Sequence, residues 1–275
     1  MDECFGKNFI RNGKLLSSDH FNSAVIYEGE SVYEVIRMIN GIPVFFYDHM
    51  ERLKNSVSLQ KREMAADTDG LRRYILKLTD SEKIKEVNLK IVFNYSESSS
   101  DFFIYFIEPI YPSENHYKTG VKGILFNAER KDPASKVINH KLRSDIYHKL
   151  ILEGAYEALL VDHKNRITEG SRSNIFFIRD NTLFSAPEDI ILNGITRKYI
   201  IEICREKNIK VIFEPVNANE TEQYDSVFMS GTSPMVLPFS SVNDCNFNVK
   251  LPLITELRRL YIEKAQESIG NFMAE

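Results

Sequence analysis

Residues 167–174 read ITEGSRSN, and residues 192–197 read LNGITR. In the first stretch, Glu169 stands next to a glycine in a run of small polar residues that is typical of a turn. In the second stretch, residues 194–196 begin a helix, and the first backbone N–H groups of a helix have no partner within it and can bind an anion. Each stretch alone is an ordinary turn or helix start. Together they place a carboxylate and an anion site in one chain.

The composition is that of a globular protein. Of 275 residues, 43% are hydrophobic and 27% are charged, and 35 Lys and Arg stand against 39 Asp and Glu, for a net charge of −4. These values exclude a disordered chain. The slight acidity argues against a surface for nucleic acid or for an anionic membrane.

Cysteine usage and the N-terminus indicate the compartment. The three cysteines form no CxxC pair, which argues against a disulfide framework and a zinc site, and no other metal site is predicted. The first residues lack the basic and apolar regions of a signal peptide, and no apolar run is long enough to span a bilayer. We therefore expect a cytoplasmic protein.

Strand and helix patterns alternate along the chain and predict a mixed α/β fold. Asn40-Gly41 predicts a hairpin between strands at 31–38 and 42–47, and Asp48 is expected to cap a helix with Met50, Leu53 and Val57 on one face. Further helices are expected at 71–78, 144–155, 196–207 and 251–269. Further strands are expected at 88–93, 101–109, 121–127, 136–139, 157–162, 174–179, 182–184, 209–215 and 225–230, with a polar turn at 96–100.

Residues 111–120 are the best candidate for a domain boundary. They contain proline, serine, asparagine and glycine, and they show no hydrophobic periodicity. We predict a small α/β domain over residues 1–112, a linker over 113–120 and a larger domain over 121–275.

Common cofactor and catalytic motifs are absent from the sequence. There is no GxxxxGK[ST], no GxGxxG after a strand, no GxSxG and no HExxH. The remaining chemistry-bearing residues meet the requirements of pyridoxal phosphate. Residues 194–196 and the hydroxyl-rich 230–232 can bind a phosphate, and Arg52 can add a bidentate fork. Lys141 can form a Schiff base, and the carboxylate of Glu169 can keep a pyridine nitrogen protonated.

The motifs also occur in a familiar order. The sequence resembles the class IV (fold type IV) pyridoxal-phosphate enzymes. The motifs that carry the resemblance are YEVIR at 33–37, HMERL at 49–53, a lysine about thirty residues before ITEGSRSN, then ITEGSRSN itself, LNGITR and MSGT at 229–232. That family includes branched-chain aminotransferases, D-amino-acid aminotransferases and 4-amino-4-deoxychorismate lyases. The resemblance covers residues from about 32 to 244. It implies a small α/β domain plus a larger pseudo-barrel domain, with pyridoxal 5'-phosphate between them, in a homodimer.

The resemblance also implies roles for single residues. Lys141 would hold the cofactor as an internal aldimine and move the proton between the amino acid's Cα and the cofactor, and Glu169 would bond the ring nitrogen. The other residues implied in cofactor binding are Arg52, Ser173, Asn174, Leu192, Ile195, Thr196, Gly231 and Thr232. The residues implied in substrate binding are Tyr33, Arg37, Arg172 and Ser233.

Several features depart from the family pattern, among them YEVIR in place of FEGIR and Ser171-Arg172-Ser173-Asn174 in place of an AGEN-like turn. Lys141 is followed by Leu142-Arg143-Ser144, whereas the family lysine is commonly followed by two residues and then asparagine. The strand at 91–95 lacks the arginine with which D-amino-acid aminotransferases bind the substrate carboxylate. Arg37 and Arg172 are therefore the candidates for that contact, because a guanidinium fork suits a carboxylate.

We predict an aminotransferase that exchanges an amino group between an amino acid and a 2-oxo acid. The alternative is a 4-amino-4-deoxychorismate lyase, which uses the same lysine and carboxylate to eliminate pyruvate in folate synthesis. A non-catalytic relative that binds a phosphorylated ligand is a third possibility. The presence of both Lys141 and Glu169 argues against the third, because neither is needed to bind phosphate.

Overall fold

The computed structural model describes residues 3–96 and 100–274. They divide into two units. One comprises Met1–Ile110, Ser135–Ile138 and Ala265–Glu275, and the other comprises Tyr111–Ala134 and Asn139–Lys264. Each unit is thus assembled from separate stretches of the chain. The domain boundaries predicted from the sequence, 1–112 and 121–275, stay a prediction, but residues 114–119 of the predicted linker form a helix.

An antiparallel sheet organises the first unit, in the spatial order β2-β1-β6-β5-β3-β4. Its strands are β1 (Phe5–Arg11), β2 (Lys14–Ser17), β3 (Glu30–Ile39), β4 (Ile42–Pro43), β5 (Val87–Tyr95) and β6 (Ser100–Ile107). Its helices are α1 (Ser23–Tyr27), α2 (Phe46–Leu59) and α3 (Thr68–Glu82). Of the polar turn predicted at 96–100, residues 97–99 lie outside the described residues. Strand β5 is buried along its whole length, which places it at the centre of the unit.

Helices α2 and α3 bury the faces that their periodicity predicted. The side chains concerned are Met50, Leu53, Val57, Leu71, Ile75 and Leu78, and all join one core with the sheet. Burial of these apolar faces holds both helices on the sheet, because a helix in a protein draws most of its stability from such packing.

The start of α2 differs from the prediction. The hairpin at Asn40-Gly41 is confirmed, with φ of 53° and 77° at its two residues. The predicted strand over 42–47 and the predicted cap at Asp48 are wrong. Strand β4 ends at Pro43, Phe45 takes a left-handed conformation with φ of 52°, and α2 begins at Phe46. The Phe46 ring packs against Phe272 at 5.2 Å, so the apolar run serves the core and not a strand.

The segment Ser135–Ile138 belongs to the first unit although its neighbours in sequence do not. The strand predicted at 136–139 is reduced to one antiparallel bridge, Val32 to Val137. The backbone of Lys136 is held from two sides, because Tyr33 N donates to its carbonyl at 3.0 Å and its own N–H donates to Ser56 Oγ at 3.3 Å.

A mixed sheet organises the second unit, in the order β12-β11-β10-β14-β15-β7-β8-β9-β13, with β16 paired to β15. Its strands are β7 (Val121–Asn127), β8 (Glu157–Val161), β9 (Arg166–Gly170), β10 (Asn174–Arg179), β11 (Thr182–Phe184), β12 (Val211–Ile212), β13 (Val216–Asn217), β14 (Ser226–Gly231), β15 (Met235–Val242) and β16 (Cys245–Asn246). Its helices are α4 (Glu114–Thr119), α5 (His140–Glu153), α6 (Ile195–Glu206) and most of α7 (Pro252–Ala274). Across the described residues, no helix combines the length and apolar composition needed to cross a bilayer.

Helix α5 begins four residues earlier than the predicted start at Ser144. Asn139 caps it, since the Asn139 side-chain oxygen accepts from Leu142 N at 3.1 Å. This cap places Lys141 in the first turn of a helix and not in the predicted turn after a strand.

Candidate active site

Glu169 lies on β9 in the second unit and is 2% exposed. One carboxylate oxygen lies 3.1 Å from Nε of Arg130, and the other accepts from Leu192 N at 3.3 Å. A buried carboxylate needs such partners, because removing an unpaired charge from water is costly. Sequence patterns did not identify Arg130, which lies in a segment without regular structure.

Asn174 binds the other backbone group of the same residue, Leu192. Its amide nitrogen donates to the Leu192 carbonyl at 2.8 Å, so Glu169 and Asn174 together bind both backbone groups of Leu192. A Cβ at Gly194 would lie 2.1 Å from Oδ1 of Asn174, so only glycine fits there. The two motifs ITEGSRSN and LNGITR therefore meet at one place in the structure.

A second buried carboxylate, Glu157 on β8, fixes the turn between Glu169 and Asn174. It is 1% exposed and accepts from Ser171 N at 3.1 Å, from Ser171 Oγ at 2.5 Å and from Ser173 Oγ at 2.9 Å. Ser173 thus orders this turn through Glu157. Glu157 was not predicted, although a glutamate at the start of the apolar strand EALLV was an available indication.

The N-terminus of α6 follows directly from Leu192. Gly194 is the N-cap, and no side chain in the described chain caps the helix. Ile195 and Thr196 in the first turn are buried, and Thr196 Oγ1 lies 3.2 Å from the Tyr261 hydroxyl. An uncapped helix start presents free N–H donors and the positive end of the helix dipole, which suits an anion.

Strand β14 brings further hydroxyl groups beside this site. Ser230 pairs in register with Asn174, and its Oγ is buried without a hydrogen-bond partner among the described residues. A Cβ at Gly231 would lie 3.5 Å from the Arg172 carbonyl oxygen, so the turn after β14 lies beside the turn after β9. Thr232 and Ser233, both half-buried, follow in that turn.

Two predicted residues of the second unit are solvent-exposed. The Arg172 side chain is exposed and donates to the Tyr156 carbonyl oxygen at 3.1 Å. Lys141 is exposed in the first turn of α5. The contacts described above for Glu169 and for the start of α6 involve neither of these side chains.

Arg52 lies in the first unit, where its guanidinium fork is bound by Glu34. Nε and Nη2 of Arg52 each lie 2.7 Å from a Glu34 oxygen, and His49 Nδ1 lies 2.9 Å from the same carboxylate. Burial would raise the pKa of Glu34, but the Arg52 charge and these hydrogen bonds hold that pKa far below its ordinary value. Burial lowers the pKa of His49. Glu34 stands inside the YEVIR motif and was not assigned a role from the sequence.

Tyr33 and Arg37 also lie in the first unit, on β3. Arg37 is half-buried and pairs in register with Asn88. The buried Tyr33 ring has two ammonium groups near it, with Lys136 Nζ 4.9 Å and Lys90 Nζ 5.5 Å from its centroid. Lys136, which the sequence patterns did not single out, is followed by two residues and then Asn139.

The comparison with known families decides the identity. The family model of amino-transferase class IV matches residues 31–242, which is most of the chain. The chain belongs to this family. The class IV enzyme predicted from the sequence is therefore confirmed, and class IV aminotransferases depend on pyridoxal phosphate.

Similar proteins agree with this assignment. The D-alanine aminotransferase of Bacillus licheniformis is 26% identical over 226 residues, covering 78% of this chain and 80% of that protein. The T.th. branched-chain amino acid aminotransferase with pyridoxamine 5'-phosphate has a TM-score of 0.84 at 22% identity, covering 96% of this chain and 95% of that chain. A putative 4-amino-4-deoxychorismate lyase of Legionella pneumophila has a TM-score of 0.78 at 23% identity, covering 86% of this chain and 91% of that chain. The predicted mixed α/β fold is confirmed.

Proposed function

We propose that this enzyme uses pyridoxal 5'-phosphate to transfer an amino group between an amino acid and a 2-oxo acid. One observation carries the proposal: Glu169 and Asn174 bind the two backbone groups of Leu192 directly before the uncapped start of α6. This arrangement supplies an acidic acceptor and an anion site in one unit. The cofactor needs both, one for its ring nitrogen and one for its phosphate.

The residues present fit the cofactor. Bound pyridoxal phosphate would supply an aldehyde that condenses with amines, releasing water, and a ring that takes up electrons from Cα. Glu169 would accept from the protonated ring nitrogen, and an N–H donor, Arg130 Nε, lies beside this carboxylate in the structure. The N–H groups of Ile195 and Thr196 would donate to the phosphate, as would the Ser230 hydroxyl, which has no partner within residues 3–96 and 100–274.

We propose Lys136, and not Lys141, as the lysine that holds the cofactor covalently. A nucleophilic amine must be held in a fixed position. The Lys136 backbone is bound by Tyr33 and Ser56, and its side chain is half-buried, whereas Lys141 is exposed on a helix. Lys136 is also followed by two residues and then Asn139, the family pattern that Lys141 lacks.

Borohydride trapping tests both the function and the lysine. The protein is reconstituted with pyridoxal phosphate, reduced, digested and mapped by mass spectrometry. We expect the phosphopyridoxyl mass on Lys136, loss of the cofactor absorbance band in Lys136→Ala and its retention in the matched control Lys141→Ala. A label on Lys141 would overturn the lysine assignment alone. If no lysine is labelled and no glutamate forms from any amino acid with 2-oxoglutarate, the proposed function is wrong.

The lyase alternative keeps one observation in its favour. Residues Ile91–Tyr95 of β5 contain no arginine for the substrate carboxylate of a D-amino acid. Incubation with aminodeoxychorismate decides this alternative: p-aminobenzoate and pyruvate would indicate the lyase, and glutamate formed from 2-oxoglutarate indicates the aminotransferase.

The other predicted roles stay proposals. They concern Arg52, Ser173, Leu192, Gly231 and Thr232 for the cofactor, and Tyr33, Arg37, Arg172 and Ser233 for the substrate. We also propose a homodimer, which the exposed apolar side chains of Tyr147, Ile151 and Leu152 on α5 support, at 62%, 60% and 82% exposure. Sedimentation of the wild type and of Ile151→Glu tests it, since the variant would be a monomer. The cytoplasmic location stays a prediction.

A further inference from the structure

A buried lysine in the first unit is bound to a carboxylate from the chain's own N-terminal segment. Lys90 on β5 is 1% exposed, and its ammonium pairs with Glu3. The hydroxyls of Tyr27 and Tyr105 donate to the same carboxylate at 2.9 and 3.1 Å. Burial would raise the pKa of Glu3, but Lys90 and the two hydroxyl groups hold that pKa below its ordinary value. Lys90, Tyr27 and Tyr105 thus form a complete carboxylate site, with one cation and two neutral donors.

The sheet register places this site beside Tyr33. Lys90 is opposite Val35 on one side and Tyr105 on the other, and Tyr33 lies two residues from Val35, so Tyr33, Lys90 and Tyr105 share a face. The ammonium groups of Lys90 and Lys136 lie 5.5 and 4.9 Å from the centroid of the same Tyr33 ring. The carboxylate site therefore lies beside the same aromatic ring as the lysine that we propose for the cofactor.

We propose that Lys90, Tyr27 and Tyr105 form the pocket for a substrate carboxylate, and that Glu3 occupies this pocket as an internal competitor. Lys90 and Tyr105 are held by β5 and β6, whereas Glu3 lies in the segment before β1, so we expect free carboxylates to exchange with Glu3. Amino acids and 2-oxo acids are carboxylates, so the substrate class rests on the proposed function. A tethered competitor acts at an effective concentration in the millimolar range, which reduces affinity for free carboxylates.

Binding of unreactive carboxylates tests the pocket. Calorimetry on the purified holoenzyme uses glutarate and butyrate, which carry no amino or oxo group. Glu3→Gln should tighten binding by about threefold or more, because the competitor loses its charge. Lys90→Met should weaken binding by about tenfold or more, because a charged hydrogen-bond donor is lost. If Lys90→Met weakens both probes, the pocket takes the carboxylate that all substrates share; if it weakens glutarate alone, the pocket takes a second carboxylate.

Glu82→Gln is the matched control. Glu82 accepts from Lys7 N at 3.0 Å and from the Asn8 side chain at 2.8 Å, so it also holds the start of β1, but through residues other than Lys90. We expect unchanged carboxylate binding in this variant. If Lys90→Met does not fold, Glu3→Gln and Tyr27→Phe keep the test decisive.

Unchanged affinities in Glu3→Gln and Lys90→Met, within twofold, with only a lower melting temperature, would overturn the proposal and leave a structural ion pair. Because calorimetry detects carboxylate binding without turnover, this result is separate from the borohydride experiment. A protein that takes up no pyridoxal phosphate but binds glutarate through Lys90 would contradict the proposed function and retain the pocket.

Discussion

Replacing Glu34 by glutamine should destabilise the protein strongly. Glu34 is fully buried, and it accepts at 2.7 Å from two nitrogens of Arg52 and at 2.9 Å from His49. The variant keeps the size of the side chain but removes its charge, and with it the buried ion pair to the Arg52 guanidinium, which is only 10% exposed. Removing one partner of a buried ion pair costs about 3–5 kcal/mol.

Glutamine retains one oxygen acceptor, so we expect a loss near 3 kcal/mol at about the lower end of this range. With an m-value of about 3 kcal/mol per M, the urea midpoint should fall by about 1 M. The difference from wild type should depend on pH in one direction. The pKa of Glu34 is lower in the folded than in the unfolded chain. Its contribution to the free energy of unfolding is therefore fully present above pH 4.5 and is lost as the pH falls through the pKa of the folded state.

The assay is urea denaturation followed by circular dichroism at pH 7 and at steps down to pH 3. Glu30→Gln is the control, because Glu30 forms an exposed pair with Arg62 at 3.2 Å that solvent screens. The control midpoint should stay near that of wild type. Equal midpoints for Glu34→Gln and wild type at pH 7, or a difference that grows as the pH falls below 4.5, would refute this reasoning.

Three further predictions concern single buried contacts. Because burial lowers the pKa of His49, the unfolded chain binds a proton on this side chain below pH 6.5, whereas the folded chain does not. The melting temperature should therefore fall as the pH drops from 6.5 to 5. His49→Gln should reduce this dependence of the melting temperature on pH. Leu53→Ala should lower the free energy of unfolding by about 2–5 kcal/mol in urea, because a fully buried side chain leaves a cavity. Asn174→Ala should cost about 1–3 kcal/mol by leaving the Leu192 carbonyl without its donor, and a reconstitution titration should show weaker binding of pyridoxal phosphate.

Local patterns predicted the features that neighbouring residues determine. The Asn40-Gly41 hairpin depends on two residues that accept positive φ, and both adopt it. The buried face of α2 follows from the spacing of apolar residues along one segment. The start of α2 did not follow, because Phe46 packs against Phe272, more than two hundred residues later in the chain.

The candidate site shows the same division. The motifs around Glu169 and Gly194 predicted a carboxylate and a helix start, and the structure brings the two together through Leu192. Arg130 and Glu157 support this arrangement from other parts of the chain, and no local pattern connects them to it. The proposal of Lys136 over Lys141 has support of both kinds: the sequence places Asn139 three residues after Lys136, and the structure shows its backbone held by Tyr33 and Ser56.

The assembly of the first unit from three stretches has a consequence during synthesis. On the open side of β3, Ile138 N donates to the Ser31 carbonyl at 3.0 Å. In the turn before α2, Phe45 N donates to Ser268 Oγ at 3.0 Å. Chains generally fold domain by domain as they leave the ribosome. Here the first unit is complete only after residues 265–274 have been translated, so we expect the Phe46 surface that Phe272 covers to stay exposed until then.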